Sequence, residues 1–260
     1  MKKYLVIGNP IEHSLSSKLH NHWIKKNNID AVYDKKQLNE NDIEDTILKV
    51  RNGEIDGINV TIPFKKSVIP YLDQLTPLAN EAQSVNTIYK EKNKVIGHNT
   101  DIGGFELGLK SINYNIKNKK VFILGAGGVV SSIILALKKM GSSKIILSNR
   151  TKEKAEDLKK IYSDLEIIDW GKIPDFNVII NATSLGLKNH DEIKLNYTDI
   201  GPNKLFYDVI YNPNKTNFLS KAKQFGNQIE NGKMMFIYQA QLTFKIWHNV
   251  LPKIDDKLLD

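Results

Sequence analysis

Short apolar runs alternate with longer amphipathic segments along most of the chain. An apolar run bounded by turn residues predicts a buried strand, whereas apolar residues spaced three and four apart predict a helix. The alternation indicates an α/β protein in which parallel strands are joined by crossover helices. The predicted strands cover residues 4–8, 31–38, 58–62, 119–124 and 144–148, with further strands near 165–168, 177–181 and 205–210. One predicted helix begins at about residue 16. The other predicted helices cover residues 40–51, 128–140, 151–162 and 233–249.

Two polar residues interrupt the apolar pattern of residues 58–62. Successive side chains of a strand point to opposite faces, so Asn59 and Thr61 are predicted to share one face. Pro63 has no N–H donor and a fixed φ, and we expect it to end this strand and open a helix that contains Lys65.

Residues 84–90 and 94–98 predict a hairpin with a short polar turn. A symmetric register places Asn86 opposite Asn99 and brings Asp101 to the same end of the hairpin. These side chains are candidates for a functional site, although Asn and Thr at strand ends also serve ordinary turns.

A pair of serines precedes the first predicted helix, in the segment Ser14-Leu15-Ser16. Hydroxyls and free backbone amides at a helix start can hold a carboxylate. The same serines can equally be plain N-caps, and the segment alone leaves both interpretations open.

A glycine-rich turn, Gly125-Ala126-Gly127-Gly128, joins a predicted strand to an apolar helix. Glycines let the backbone turn tightly and approach a pyrophosphate, which binds at the helix N-terminus. Val130 occupies the third small position of the usual spacing. Glycines that merely ease the connection would give the same turn, but the surrounding strand–helix–strand unit favours a dinucleotide site.

The end of the next strand indicates which dinucleotide is bound. Sites that take NAD usually place Asp or Glu there to bind the ribose hydroxyls. This chain instead has Asn149-Arg150-Thr151, followed by Lys152 and Lys154. A guanidinium binds phosphate through a bidentate fork, and cations at a helix N-terminus oppose the helix dipole unless an anion compensates them. These residues predict NADP(H) as the cofactor.

The composition limits the class of protein and its partners. With 260 residues, 41% hydrophobic and 25% charged, the chain is globular, and disordered or collagen-like classes are excluded. The net charge of +8 comes from scattered lysines without an interleaved aromatic surface, so no nucleic-acid partner is expected. The first apolar run is too short for a signal peptide, and the uncharged residues 121–137 contain the glycine turn. We expect a cytoplasmic protein without a membrane partner.

Metal chemistry is not expected either. The chain has no cysteine, which excludes disulfides, zinc–thiolate sites and thiol nucleophiles. Two of the histidines lie two residues apart on a predicted helix and so point to different faces. All six are interpreted as surface or packing residues: His13, His20, His22, His98, His190 and His248.

Several motifs together resemble the shikimate dehydrogenase family. In the first part of the chain they are GNPIEHSLS at residues 8–16, NVTIPFK at 59–65, VNT at 85–87 and GHNTDIGGF at 97–105. In the later part they are GAGG at 125–128, NRT at 149–151, NATS at 181–184, YDVIYNP at 207–213 and QA at 239–240. They follow the family's order over nearly the whole chain, so together they are more specific than any single motif.

The resemblance implies two α/β domains with the active site in the cleft between them. A substrate-binding domain would comprise residues 1–101 and 236–260, with the C-terminal helix completing it. A Rossmann-like NADP-binding domain would comprise residues 102–235. The implied reaction is the NADPH-linked interconversion of 3-dehydroshikimate and shikimate, by a monomer or a homodimer.

The resemblance also implies the site residues. Lys65 and Asp101 would form the catalytic pair, and whether Lys65 carries the proton itself or mainly orients the substrate stays open. The residues that would hold the substrate are Ser14, Ser16, Thr61, Asn86, Asp101, Tyr211 and Gln239. The residues that would hold NADP are Gly125, Ala126, Gly127, Gly128, Val129, Asn149, Arg150, Thr151, Lys154, Val209 and Gly232. Where the family often has small residues, this chain has Val129-Val130, which puts the pyrophosphate position and the cofactor affinity in doubt.

Two other functions compete with this interpretation. A quinate/shikimate dehydrogenase of broader specificity would share most of the motifs, but the basic segment at Arg150 argues against a preference for NAD. A protein that senses NADP without chemistry would keep the glycine turn and lose Lys65 or Asp101, and this chain has both.

Overall fold

The structure, a computed structural model, describes residues 1–188 and 191–254 and divides the chain into two units. The first unit comprises Met1–Gly104 and Ile237–Asp260, and the second comprises Phe105–Phe236. His190 and the last six residues of the predicted substrate-binding domain lie outside the described residues. Within the described ranges, no helix combines the length and the apolar character needed to cross a bilayer.

Helices and strands alternate throughout the described chain, as the hydrophobic pattern predicts. The strands are β1 (Lys2–Gly8), β2 (Ala31–Gln37), β3 (Gly57–Val60), β4 (Gln74–Leu75), β5 (Thr87–Glu91), β6 (Lys94–His98), β7 (Lys120–Leu124), β8 (Lys144–Ser148), β9 (Glu166–Ile167), β10 (Val178–Asn181), β11 (Leu205–Asp208) and β12 (Gln228–Glu230). The helices are α1 (Ser16–Lys26), α2 (Ile43–Arg51), α3 (Pro77–Ala82), α4 (Asp101–Ser111), α5 (Val130–Lys139), α6 (Lys152–Ile161), α7 (Tyr197–Ile200), α8 (Asn217–Gln224) and α9 (Lys233–His248). Two short 3₁₀ turns cover Glu40–Asp42 and Ile69–Tyr71.

The first unit contains a mixed sheet with the strand order β2-β1-β3-β5-β6-β4. Strand β1 is parallel to both β2 and β3, whereas β5 is antiparallel to β3 and to β6. Side chains such as Ile7, Ile58 and Ile88 pack in one core with residues of α2 and α3. The hairpin of β5 and β6 has the predicted register, since Thr87 pairs with His98. Residues 86 and 99 therefore lie at the same open end of the hairpin.

The second unit contains a wholly parallel sheet with the order β12-β11-β10-β7-β8-β9. Its strands β7 and β10 are neighbours although they are distant in sequence, so the direction of the chain across the sheet reverses at this point. Crossover connections of this kind place ligand sites at the carboxyl ends of the strands beside the reversal. The order is that of a Rossmann-like sheet, and its core includes Phe122, Phe176 and Phe206.

The segment that carries Lys65 is a turn and not the predicted helix. The Lys65 carbonyl accepts a hydrogen bond from Val85 N–H at 2.8 Å, so the N–H of Ile69 donates to Lys66 instead. The carbonyl is thus bound by the segment that precedes β5, and a regular helical hydrogen-bond ladder is not formed. The predicted strand is also shorter, because β3 ends at Val60 and Thr61 lies just beyond it.

A buried aromatic cluster in the first unit contains two histidines. The His20 ring lies parallel to the Tyr33 ring at 4.3 Å, and neither of its nitrogens has a hydrogen-bond partner. Burial, with the nearby His248 as a smaller cause, lowers the pKa of His20 to about 3. Burial also lowers the pKa of His248 to about 4. Both rings are therefore neutral in the folded protein at neutral pH.

These two histidines predict a loss of stability in acid. The unfolded chain binds their protons near pH 6.5, whereas the folded protein binds them only near pH 3 to 4. The free energy of unfolding should therefore fall as the pH drops below about 6.5, by about 1.4 kcal/mol per pH unit for each histidine. Urea denaturation of His20→Leu should show a shallower decline with pH than the parent protein. The same substitution at His13, which is exposed, should leave the decline unchanged, and an equal slope in His20→Leu would contradict this account.

Candidate active site

An ion pair between Lys65 and Asp101 lies at the end of the hairpin in the first unit. Lys65 Nζ lies 2.5 Å from Asp101 Oδ2, and the two side chains are only 11% and 7% exposed. Asp101 is the first residue of α4, where the helix dipole favours a negative charge. A buried ion pair is stable only when the remaining hydrogen-bonding atoms are also satisfied.

The second carboxylate oxygen of Asp101 is held by Asn86. The Asn86 amide nitrogen donates to Asp101 Oδ1 at 3.0 Å and lies 2.9 Å from the Thr100 hydroxyl. In return, the Asn86 side-chain oxygen accepts from the backbone N–H of Thr100 at 2.8 Å. Asn86 is 3% exposed and Asp101 5% exposed, so these bonds are formed away from bulk water. The carboxylate is therefore fixed from both of its oxygens.

Gln239 on α9 completes this group of side chains. Its Oε1 lies 3.3 Å from the Asn86 amide nitrogen, which donates to it. Three threonine hydroxyls form a neighbouring group. The Thr243 hydroxyl of α9 lies 2.9 Å from that of Thr87 and 3.0 Å from that of Thr100. The structure thus brings together four of the predicted site residues: Lys65, Asn86, Asp101 and Gln239.

The three other site residues predicted for this unit lie at the start of α1 and just after β3. Ser14 accepts a hydrogen bond from the backbone N–H of Ser16 at 3.3 Å, so it stabilises the start of α1. Ser16 is buried, whereas Ser14 and Thr61 are half-buried. Thr61 donates its N–H to Ile7 at 2.9 Å, which extends the β1–β3 pairing by one residue beyond the strand. The structure fixes each of these positions through the backbone.

The glycine turn of the second unit lies between β7 and α5, at the carboxyl edge of the parallel sheet. Gly125 has φ +109°, and a Cβ there would lie 2.7 Å from the carbonyl oxygen of Ala182. Only glycine adopts this conformation readily in such close contact. Gly127 is exposed and has open space around it, with Ala182 O at 3.9 Å from the position of a Cβ. The first glycine is required by packing, and the second leaves room for a ligand.

The two valines after this turn have different surroundings. Val130 is wholly buried in the unit, whereas Val129 is half-buried. Val130 stands where a small residue is usual, and its side chain therefore packs into the core of the unit. Val130 N–H donates to Gly127 O at 3.0 Å, which closes the first turn of the helix.

The predicted phosphate-binding residues follow β8 at the same edge of the sheet. Asn149 bonds through its amide nitrogen to the carbonyl of Thr151 at 2.7 Å and so shapes the loop. Arg150 and Lys154 are exposed, and neither forms an ion pair with any residue in the described part of the chain. Their charges are therefore available to an anion, in contrast to Lys152, which lies 3.3 Å from Asp169.

The remaining predicted residues of this unit lie after β11. Gly232 is packed against Val209, since a Cβ on Gly232 would overlap the Val209 carbonyl oxygen. Tyr211 stacks on Phe236, with ring centroids 4.6 Å apart and an angle of 23° between the planes. The loop after β11 is thus held in place by close contacts with the segment that leads into α9.

A buried polar cluster at the same edge was not predicted as a site. Asp208, at the end of β11, accepts hydrogen bonds from Thr216 Oγ1 at 2.6 Å, Ile210 N–H at 3.0 Å and Asn181 Nδ2 at 3.0 Å. Burial raises the pKa of Asp208 to about 6, against the opposing effect of these bonds. Asn181 also accepts from Thr183 N–H and Oγ1. The sequence contained one signal that could have predicted this cluster, namely an Asn and an Asp at the ends of two predicted strands.

Within the described part of the chain, acidic side chains and histidines do not gather into a metal-binding group. Among residues 1–188 and 191–254, no three His, Asp or Glu side chains are placed to hold an ion.

Comparisons with known proteins match both units. A family model described as the shikimate dehydrogenase substrate binding domain matches residues 6–88. A second model, described as shikimate/quinate 5-dehydrogenase, matches residues 106–189. A curated protein named shikimate dehydrogenase (NADP(+)), from Pelagibacter ubique, is 59% identical over 259 residues, which cover 100% of this chain and 98% of that protein.

Solved structures agree with the sequence comparison. Shikimate dehydrogenase from Aquifex aeolicus superposes with a TM-score of 0.90 at 37% identity, covering 99% of this chain and 96% of that one. Shikimate 5-dehydrogenase from Listeria monocytogenes, in complex with shikimate and NAD, superposes with a TM-score of 0.91 at 29% identity. That match covers 100% of this chain and 95% of the other.

The packing at the glycine turn predicts unequal effects for two similar substitutions. Gly125→Ala forces a side chain into positive φ and against Ala182, so it should lower the free energy of unfolding by about 2 kcal/mol or more. Gly127→Ala meets only an ordinary van der Waals contact with Ala182 O at 3.9 Å and should change the free energy of unfolding by less than about 0.5 kcal/mol. Urea denaturation followed by circular dichroism measures both. Equal losses in the two variants would show that the Gly125 contact is not what fixes the turn.

Proposed function

The chain belongs to the shikimate dehydrogenase family, and we propose that it catalyses the reversible, NADPH-linked reduction of 3-dehydroshikimate to shikimate. This reaction serves the biosynthesis of chorismate and the aromatic amino acids. The observation that carries the proposal is the buried Lys65–Asp101 pair, with Asn86 and Gln239 hydrogen-bonded beside it. Such a pair offers a proton donor and a carboxylate within one hydrogen bond of each other.

The residues of the glycine turn and of the Arg150 loop suit an NADP cofactor. The turn leaves open space at Gly127, and the start of α5 offers the positive end of a helix to a pyrophosphate. Arg150 and Lys154 lie exposed without ion-pair partners in the described chain, and they suit an adenosine 2′-phosphate. We assign the cofactor to Gly125, Ala126, Gly127, Gly128, Val129, Asn149, Arg150, Thr151, Lys154, Val209 and Gly232. The NADP-binding domain is then residues 102–235.

Bound NADPH supplies hydride transfer to a carbonyl carbon. The carbonyl oxygen of the substrate gains negative charge as this happens, so a proton has to be delivered to it. Lys65 is the group we assign to this task, because its ammonium both stabilises the developing charge and donates a proton. In the oxidation of shikimate, Lys65 takes up the hydroxyl proton.

Asp101 orients Lys65 and the reacting hydroxyl. Its carboxylate is fixed by Lys65 on one oxygen and by Asn86 on the other, so it cannot turn away without losing a buried hydrogen bond. The rest of the substrate is held by Ser14, Ser16, Thr61, Asn86, Tyr211 and Gln239, with the two serines assigned to its carboxylate. Residues 1–101 and 236–260 form the substrate-binding domain in this assignment.

A protein that only senses NADP is the main alternative from another class. Sensing would require the cofactor residues and would give no reason to bury a lysine with an aspartate in the other unit. Burying two charges is costly. A buried ion pair is therefore expected where a complete set of hydrogen bonds stabilises it or where function requires it. The pair therefore favours an enzyme. An assay with quinate and with NAD beside shikimate and NADP distinguishes a strict shikimate dehydrogenase from one of broader specificity.

The compartment and the assembly belong to the same proposal. We expect the enzyme to act in the cytoplasm as a monomer or a homodimer. Cell fractionation and sedimentation at micromolar concentration test the two points separately.

The cofactor assignment predicts that Arg150 discriminates NADP from NAD. Arg150→Ala should raise the KM for NADP about ten- to a hundredfold, because a charge-assisted phosphate contact is lost. The slower reaction with NAD, which has no 2′-phosphate, should be nearly unaffected. Arg51→Ala is the matched control, since Arg51 is the other arginine of the chain and pairs with Asp73 in the first unit. Equal losses with NADP and NAD would show that Arg150 has only a structural role.

The mechanism predicts a specific kinetic defect for Lys65→Ala. Removal of the proton donor should lower kcat by about 10²- to 10⁴-fold with little change in the KM for shikimate. The neighbouring Lys66 is exposed, and Lys66→Ala should leave both constants close to those of the parent. Steady-state kinetics on variants whose circular dichroism spectra match the parent measure the effect. A near-normal kcat in Lys65→Ala would rule out this mechanism.

The same mechanism predicts coupling between the two members of the pair. Asp101→Asn should weaken shikimate binding as well as kcat, because the carboxylate both orients Lys65 and contacts substrate. Residues that act as one unit give non-additive losses, so Lys65→Ala with Asp101→Asn should lose less than the sum of the single effects. Strict additivity would mean that the two residues act independently.

A further inference from the structure

A tyrosine hydroxyl buried in the first unit is connected to the catalytic pair through two intermediate residues. Tyr33 lies on β2 and is 1% exposed, and its hydroxyl donates to Asn59 Oδ1 at 2.7 Å. Asn59 lies on β3, with β1 between the two strands. Strands are spaced about 4.8 Å apart, so only a long side chain can connect β2 to β3 across β1.

The Tyr33 side chain is held rigidly. Its ring stacks on His20 at 4.3 Å with an angle of 9°, and its backbone exchanges two hydrogen bonds with the side chain of Asn21. Burial raises the pKa of Tyr33, which keeps the hydroxyl protonated and able to donate.

The orientation of the Asn59 amide is set from both of its ends. Its amide nitrogen donates to the carbonyl oxygen of Asn86 at 3.0 Å. A carbonyl can only accept, so the amide nitrogen of Asn59 has to face Asn86 and its oxygen has to face Tyr33. Without the Tyr33 hydroxyl, Asn59 Oδ1 would lose the donor that it now has and would stay buried. The present orientation of the Asn59 amide would then be less favourable.

Asn86 carries this constraint to the catalytic pair. Its backbone carbonyl accepts from the Val60 N–H at 2.9 Å and from the Asn59 amide nitrogen at 3.0 Å. Its side-chain nitrogen donates to Asp101 Oδ1 at 3.0 Å. Asp101 in turn holds Lys65. A continuous series of buried hydrogen bonds therefore runs from Tyr33 through Asn59 and Asn86 to Asp101.

We propose that Tyr33 is a positioning residue for the reaction, which keeps the Asn86 amide directed at Asp101 by fixing the orientation of Asn59. The inference rests on the proposed function, because a catalytic defect can be measured only if the enzyme oxidises shikimate. Tyr33 itself touches none of the reacting atoms in this account.

The test compares Tyr33→Phe with Tyr4→Phe. Both tyrosines are buried in the same aromatic cluster, but Tyr4 stacks on Trp247 and makes no described hydrogen bond to the site residues. Tyr33→Phe should lower kcat with shikimate about tenfold and leave the KM for NADP unchanged, because the cofactor residues belong to the other unit. Tyr4→Phe should keep kcat within about twofold of the parent.

A double-mutant cycle separates positioning from packing. If Tyr33 acts through Asn86, then Tyr33→Phe should lower kcat little further in an Asn86→Ala background. A purely structural role would lower the melting temperature of both tyrosine variants and leave kcat at the parent value. If Tyr33→Phe does not fold, Asn59→Leu breaks the same link at its other end and should show a kcat loss of at least the same size.

The outcomes distinguish this inference from the proposed function. A parent enzyme that does not reduce NADP with shikimate contradicts the proposed function, and the positioning role falls with it. A parent enzyme that is active while Tyr33→Phe and Asn59→Leu keep the parent kcat contradicts the positioning role alone. An additive cycle with Asn86→Ala would also overturn it.

Discussion

The buried ion pair between Lys65 and Asp101 is the constraint on which the site depends. Taking two charges out of water costs several kcal/mol, and the attraction between them offsets this cost only when their other atoms are hydrogen-bonded. Asn86 supplies the missing bond to the carboxylate, and Gln239 and Thr100 surround the Asn86 amide. Three separate parts of the chain must therefore converge before the pair is stable. The pair thus selects the local arrangement of these side chains, in addition to its role in the proposed reaction.

The sheets position these parts by simple rules. In the first unit, the β5–β6 hairpin brings Asn86 and Asp101 to one end, and the short turn after β3 carries Lys65 to the same place. In the second unit, the reversal of chain direction between β7 and β10 opens the carboxyl edge of the sheet, where the glycine turn lies. Each unit thus presents its candidate residues at strand ends, where backbone groups are free to turn and side chains are held by a rigid sheet.

The sequence alone predicts the strands other than β4 and β12, and it predicts that Asn86 lies near Asp101, because these features follow from local rules. Hairpin symmetry is sufficient to place Asn86 beside Asp101, as the register of Thr87 with His98 shows. The turn at Lys65 could not be predicted, because its carbonyl is bound by Val85, a contact distant in sequence. Helix α4 was missed because Gly103 and Gly104 lower helix propensity. Gly103 is there for packing, since a Cβ would lie 2.7 Å from Leu242 of α9.

An absorbance assay of NADPH formation tests the proposed reaction at the Lys65–Asp101 pair most directly. The purified protein is given shikimate and NADP. Parallel reactions replace shikimate by quinate and NADP by NAD. A proton donor at Lys65 and a phosphate-binding Arg150 predict rapid NADPH formation with shikimate and NADP, and much slower reduction when NAD is the cofactor. A folded protein that binds NADP but reduces neither cofactor with either substrate would contradict it, and would identify the chain as a binding protein in which the Lys65–Asp101 pair serves only the structure.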